Sequence, residues 1–193
     1  MKKNDLQDIY PLAPLQEGLL FHYLSDEQSN AYFEQITFRL QGEVDLCLFE
    51  ASWNLLLQRH DILRTVFSHE KTNRPLQVVL RQRQIELRYH DLSYLPSVEQ
   101  QQQLQHYQQQ DRHQPFNLTK DVLMRFYALQ RATDDYWMIW SHPHILLDGW
   151  SVGILYREFI QTYQAFKQGL KPSFANAVPY VRYIQWLCTR QFA

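Results

Sequence analysis

Residues 140–151 read WSHPHILLDGWS: two histidines one residue apart, then an aspartate and a glycine, all inside apolar sequence. The run before it, YWMIWSH (136–142), has the character of a strand. The run after it, SVGILYREFIQTYQAF (151–166), is amphipathic at helical spacing, with Ile154, Leu155, Phe159 and Tyr163 along one face. The stretch is therefore a strand-to-helix junction. In an extended chain side chains alternate between faces, so His142 and His144 should lie together and Pro143 opposite. Asp148 and Gly149 fall where the strand must turn into the helix.

Upstream, DVLMRFYALQ (121–130) looks like a strand paired with the histidine strand through the polar turn RATDD. LAPLQEGLLFHYL (12–24) reads as a helix with Pro14 in its first turn, and AYFEQITFRLQG (31–42) alternates like a half-buried strand. Asp45 is placed to cap a helix whose stripe runs Leu48, Phe49, Ser52, Trp53, Leu56, Leu57 and His60. DILRTVFSHE turns to β character, and RPLQVVLRQ and IELRYHDLS supply two more short strands. The glutamine-rich VEQQQQLQHYQQQDR (98–112) has apolar residues only at Val98, Leu104 and Tyr107, which predicts a solvated helix. KQGLKPSFANAVP is a linker and YVRYIQWLCTR a last helix with Tyr183, Ile184 and Leu187 as its stripe. Strands and helices mixed in this order predict an α+β fold. We expect a core over 1–170, with 171–193 as linker and terminal helix.

The 193 residues are 45% hydrophobic and contain only five glycines, enough apolar matter for one substantial core. A net charge of −1 and a pI near 6.7 argue against nucleic-acid or anionic-membrane partners. No apolar run suits a signal peptide or a membrane span. Cys47 and Cys188 have no C-x-x-C spacing, so a reducing, cytoplasmic setting is the simpler expectation.

Three readings fit the histidines. Asp148 could cap the helix while backbone groups satisfy both imidazoles. A metal site would need further ligands, and no other His/Cys/Asp/Glu cluster has ligand spacing; no metal is expected. The third reading is acid–base chemistry, since a histidine at a strand end titrates near neutrality.

YPLAPLQEGLLFH (10–22), RHDILRTVF (59–67), HILLDGWS (144–151) and PYVRYIQWL (179–187), in this order and spacing, resemble the amino-terminal half of a nonribosomal peptide synthetase condensation domain. That family belongs to the chloramphenicol-acetyltransferase-like superfamily, in which two related lobes flank a substrate tunnel. The resemblance implies one such lobe, a mixed β-sheet flanked by helices, with the terminal helix leading toward an absent carboxy-terminal lobe. The implied reaction is peptide-bond formation between donor and acceptor peptidyl carrier proteins, with substrates held on phosphopantetheine and no directly bound cofactor. The family signature H-H-x-x-x-D-G falls on Pro143, His144, Asp148 and Gly149. His144 would be the catalytic residue, and His142 is a secondary candidate. Asp148 would be structural, in a buried pair with Arg64. Pro143 departs from the pattern; it lacks a backbone N–H and restricts His142, so any distortion should appear at the strand end.

Other parts of the resemblance carry architecture. PLAPLQEG is a helix lining the core near the tunnel in that family, although Gln16 and Glu17 could simply form its exposed face. Trp137, Trp140 and Trp150 each sit in an apolar run and read as core packing. The isolated lobe is expected to be inactive, because the second lobe supplies the opposite wall. The motifs start about ten residues after Met1, which suits the first module of a synthetase chain and an upstream synthetase docking at this end. Two alternatives remain: a non-catalytic docking or carrier-recognition module, or an epimerization or other H-x-x-x-D acyltransferase of the superfamily.

Overall fold

The computed structural model describes residues 5–25, 31–70 and 73–190. Residues 1–4, at the end where upstream docking is expected, and the last three residues of the chain lie outside them.

Strand β1 (Leu6–Pro11) leads into helix α1 (Pro14–Ser25), strand β2 (Phe33–Gln41) and helix α2 (Leu46–Arg59). A turn of 3₁₀ helix (Asp61–Arg64) joins α2 to β3 (Thr65–Ser68), followed by β4 (Leu76–Leu80) and β5 (Leu87–Asp91). Helix α3 (Ser97–Arg112) crosses to β6 (Arg125–Ala132), which turns into β7 (Asp135–Pro143). Helix α4 (Gly149–Lys167) and helix α5 (Tyr180–Arg190) complete the chain.

The strands form two sheets where the sequence suggested one. The first is antiparallel, in the order β1-β4-β3; the second, β2-β7-β6-β5, is antiparallel except for the parallel β5–β6 pair. A parallel pair needs a long crossover, and α3 lies within it. Strand β1 was not anticipated. Its Asp8, Ile9 and Tyr10 run into Pro11 with no alternation to mark them, and pairing with β4 creates the strand.

Sheet two has two dry faces. Trp140, Met138, Phe126 and Ala128 face the main core, which α2 fills with Phe49, Trp53, Leu56 and Leu57. The Trp53 ring lies 4.7 Å from Phe126, 4.9 Å from Trp140 and 5.0 Å from Phe159 of α4. On the opposite face Tyr127, Leu129 and Ile139 pack against Leu92 and Leu104.

The α2 and α4 starts are capped by the residues the sequence nominated. Asp45 accepts from Leu48 N at 2.9 Å, and Asp148 accepts from Ser151 N at 2.7 Å. Three local expectations need correction. Ile154 is 45% exposed, and the buried face of α4 runs through Leu155, Phe159 and Thr162. Trp150 is 85% exposed at the second position of α4 and is not among the buried residues of that helix. Tyr183 is 46% exposed, whereas Ile184 of the same helix is buried against Tyr10 and Val79. Helix α5 is thus packed onto sheet one.

Candidate active site

The WSHPHILLDGWS stretch lies where β7 leaves sheet two. Ser141 is the last residue of β7 that pairs with β6; beyond it β7 is held only by β2. Pro143 stands opposite Phe33, and the next amide, His144 N–H, donates to Tyr32 O at 2.7 Å. In an antiparallel ladder this makes Pro143 a position whose amide points away from β2. On its other side the β6 ladder has already ended. The proline therefore forfeits no ladder bond, and β7 runs unbroken up to it.

The two histidines have different surroundings. His142 is 1% exposed, with its ring 5.3 Å from Trp140. Its Nε2 has no partner among the described residues. Burial pushes its pKa down to about 4, so the ring is neutral at physiological pH. His144 is about one-third exposed, and its ring stacks on Tyr32 with centroids 6.5 Å apart. Tyr32 has φ of 66°, a left-handed conformation uncommon for an aromatic residue. That conformation turns its carbonyl toward His144 N–H immediately before β2 begins.

His144 borders a groove of about 520 Å³ between α1, the 144–148 turn, α4 and α5. Gln16, His60, Asp148, Ser151, Tyr180 and Tyr183 are among the groups around it. A small apolar recess of about 40 Å³, formed by Leu19, Tyr23, Phe33, Phe116 and Pro143, also borders His144. The residue thus lines both the groove and the recess.

Gln16 is buried, not part of an exposed face. Its side-chain oxygen accepts from Ala13 N at 3.0 Å, and its amide donates to Gln77 Oε1 at 3.2 Å and to Ile145 O at 3.3 Å. Gln77 in turn donates to Pro11 O at 3.1 Å. These bonds tie the turn after His144 to α1 and to sheet one. Sequence reading missed the role because a glutamine near a helix start looks like any solvated residue.

The expected Arg64–Asp148 pair does not form. Arg64 is buried, as its apolar neighbours suggested, but its guanidinium is spent elsewhere. It donates to Leu57 O at 2.7 Å, Gln7 Oε1 at 2.8 Å and Asp61 Oδ1 at 2.7 Å, and also to Leu80 O. A cation among the terminal carbonyls of α2 is favoured by the helix dipole. Asp148 is exposed and engaged as the α4 cap, which holds its carboxyl below the usual range through the Ser151 hydrogen bonds. Gly149 begins α4, and a Cβ there would meet nothing within 4 Å. This lobe does not itself require a glycine there.

A second polar cluster lies on the α3 side of β7. Asp111 is fully buried and accepts from Arg125 Nε at 2.8 Å, Gln35 Nε2 at 2.9 Å and Ser141 Oγ at 2.5 Å. The Arg125 guanidinium stacks 4.0 Å above the Phe116 ring, which also lines the apolar recess. The glutamine-rich helix is therefore not merely solvated: it brings a buried carboxylate against the back of the site strand.

Among the described residues no helix is long and apolar enough to cross a membrane. A family model described as the condensation domain matches residues 6–192. A linear gramicidin synthase chain of Brevibacillus parabrevis is 45% identical over 187 residues, covering 97% of this chain and 4% of that one. A plipastatin synthase chain of Bacillus subtilis (strain 168) is 44% identical over 186 residues, covering 96% and 7%. The chain thus spans less than a tenth of either relative. The crystal structure of the starter condensation domain of rhizomide synthetase has a similar fold, with a TM-score of 0.84 at 19% identity, covering 97% of this chain and 46% of that one. The first condensation domain of the calcium-dependent antibiotic synthetase, in complex with a substrate analogue, gives 0.85 at 17% identity, covering 97% and 44%. The α+β architecture is that of somewhat less than half of these solved domains. With the family model matching almost end to end and relatives above 40% identity, the chain belongs to the condensation domain family of nonribosomal peptide synthetases.

Proposed function

We propose that this chain is the amino-terminal half of a domain that joins two carrier-bound thioesters, with His144 as its catalytic residue. The acceptor amine attacks the donor carbonyl, a C–N bond forms and the C–S bond breaks. The amine proton leaves through the imidazole and ends on the departing thiol. Both substrates would arrive on the phosphopantetheine of donor and acceptor carrier proteins, and the protein itself would need no bound cofactor.

The observation that carries this reading is the placement of His144. It is the one histidine of the junction that a ligand can reach, and it lines a groove of about 520 Å³. His142 is walled in beside Trp140 and cannot touch substrate. General acid–base help contributes about 10²–10⁴-fold in rate, so orientation of the two arms supplies much of the remainder. That orientation needs an opposite wall, which we assign to a carboxy-terminal lobe following α5.

The test uses the two-lobed parent domain with loaded donor and acceptor carriers. His144→Ala should cut dipeptide formation by about 10²-fold or more, and His142→Ala by much less. Equal losses would refute the assignment. The isolated lobe, given the same carriers, should form no dipeptide above background.

A further inference from the structure

We infer that Glu34, which the family signature does not include, is the positioning residue that fixes the tautomer of His144. The inference rests on the catalytic reading of His144 given above and adds the group that makes the imidazole competent.

Glu34 is the second residue of β2 and the register partner of His142 in β7. Directly opposite residues on paired strands project to the same face. Glu34 therefore lies on the face that carries His142 and Trp140, at the end where the sheet opens into the groove. Its Oε1 is 3.8 Å from His144 Nδ1. That nitrogen is buried and has no hydrogen-bond partner among the described residues. The carboxylate is half exposed and makes no other ion pair among the described residues, so a side-chain rotation can bring it within hydrogen-bond range.

The chemistry of the two groups fixes the direction of the bond. An ionised carboxylate only accepts, so it can satisfy Nδ1 only when Nδ1 carries the proton. In a neutral imidazole Nε2 is then the nitrogen with the free lone pair. Since Nδ1 is the buried nitrogen, the open edge of the ring faces the groove, where an acceptor amine would deliver its proton. When that proton arrives, the Glu34 charge stands beside the imidazolium. Two features hold the ring for this exchange: the Tyr32 stack and the 2.7 Å bond from His144 N–H to Tyr32 O. For metal-bound imidazoles, loss of the partner that orients the ring typically costs about 10–100-fold, and a loss of that order is expected here.

The experiment uses the two-lobed parent carrying ¹⁵N-labelled histidine, with His144→Ala supplying the assignment. In the wild type the His144 resonances should report the Nδ1–H tautomer. Glu34→Leu should convert the signal to Nε2–H or a mixture, and lower kcat by about 10–100-fold with little change in KM for the acceptor carrier. Glu34→Gln keeps an oxygen acceptor, so it should retain the Nδ1–H signature and recover part of the lost kcat. Unchanged tautomer and kcat in Glu34→Leu, in a parent that His144→Ala inactivates, would overturn the role of Glu34. A fully active His144→Ala parent would instead overturn the catalytic reading, while the nitrogen spectra would still decide the contact between Glu34 and His144.

Discussion

The two sides of β7 make opposite use of polar groups. On the α3 side, Asp111 is fully buried and every contact is direct: a guanidinium, an amide and a hydroxyl converge on one carboxylate. On the groove side, His144 and Glu34 are partly exposed and stand 3.8 Å apart, with the buried Nδ1 still unpaired among the described residues. A saturated network of low exposure holds geometry, since its members have no capacity left for a substrate. An unsaturated pair at a groove edge keeps that capacity. The strand end is thus braced from behind and left with open polar capacity in front.

The largest stability effects should come from the two ion pairs that have a buried member, Asp111–Arg125 behind β7 and Arg64–Asp61 at the end of α2. Asp111→Ala strands the Arg125 guanidinium, and Arg64→Ala strands Asp61 and several carbonyls. Removing one member of a buried pair commonly costs about 3–5 kcal/mol. Asp148→Ala should lose only a helix cap, about 0.5–2 kcal/mol. Denaturant melts of the parent domain carrying each variant would rank them. If Asp148→Ala proved as damaging as Arg64→Ala, the two would share one brace after all and the contrast would fail.

Next comes a pH effect on the buried histidine. The folded-state pKa of His142 is about 4, below the ordinary value near 6.5. Below pH 6.5 the unfolded chain takes up a proton that the folded state refuses. The stability this ring contributes is therefore complete above that value and is lost as pH falls toward 4. A shift of this size corresponds to about 3 kcal/mol. His142→Phe, which cannot titrate, should flatten the dependence of Tm on pH between 7 and 4. An unchanged slope would mean that His142 charges freely and that the site strand is less closed than the burial of its ring implies.

The smallest effect belongs to Trp150. Exposed surface substitutions usually fall within about 0.5 kcal/mol of neutral, so Trp150→Ser should leave the melting of this chain unchanged. Sedimentation of the isolated chain should nevertheless show less self-association, because Trp150 and Ile154 leave apolar surface open on α4. A clear drop in Tm would place this indole in the core after all.

Much of the site was legible because it rests on local rules. Periodicity gave the helices around Trp53 and Phe159, and the hairpin between β6 and β7 followed from two apolar runs and a polar turn. Asp45 and Asp148 were recognisable as helix caps from their positions. Alternation separated Pro143 from its neighbours, and the family resemblance, carried by four ordered motifs, nominated His144. Local patterns of this kind are written in consecutive residues and survive without knowledge of the rest of the chain.

What only the tertiary structure decided was partnership across the sequence. Arg64 was recognisable as a cation with an apolar neighbourhood, but its partners come from β1, β4, the end of α2 and Asp61 of the 3₁₀ turn, not from Asp148. Glu34 looked like the polar half of an alternating strand until the β2–β7 register set it near His144. Asp111 looked like one more solvated residue in a glutamine-rich helix until α3 docked on sheet two. A charged side chain carries no signal of which distant group will satisfy it. That choice is made when long-range packing removes water from it, and it depends on which other polar groups the fold brings within reach.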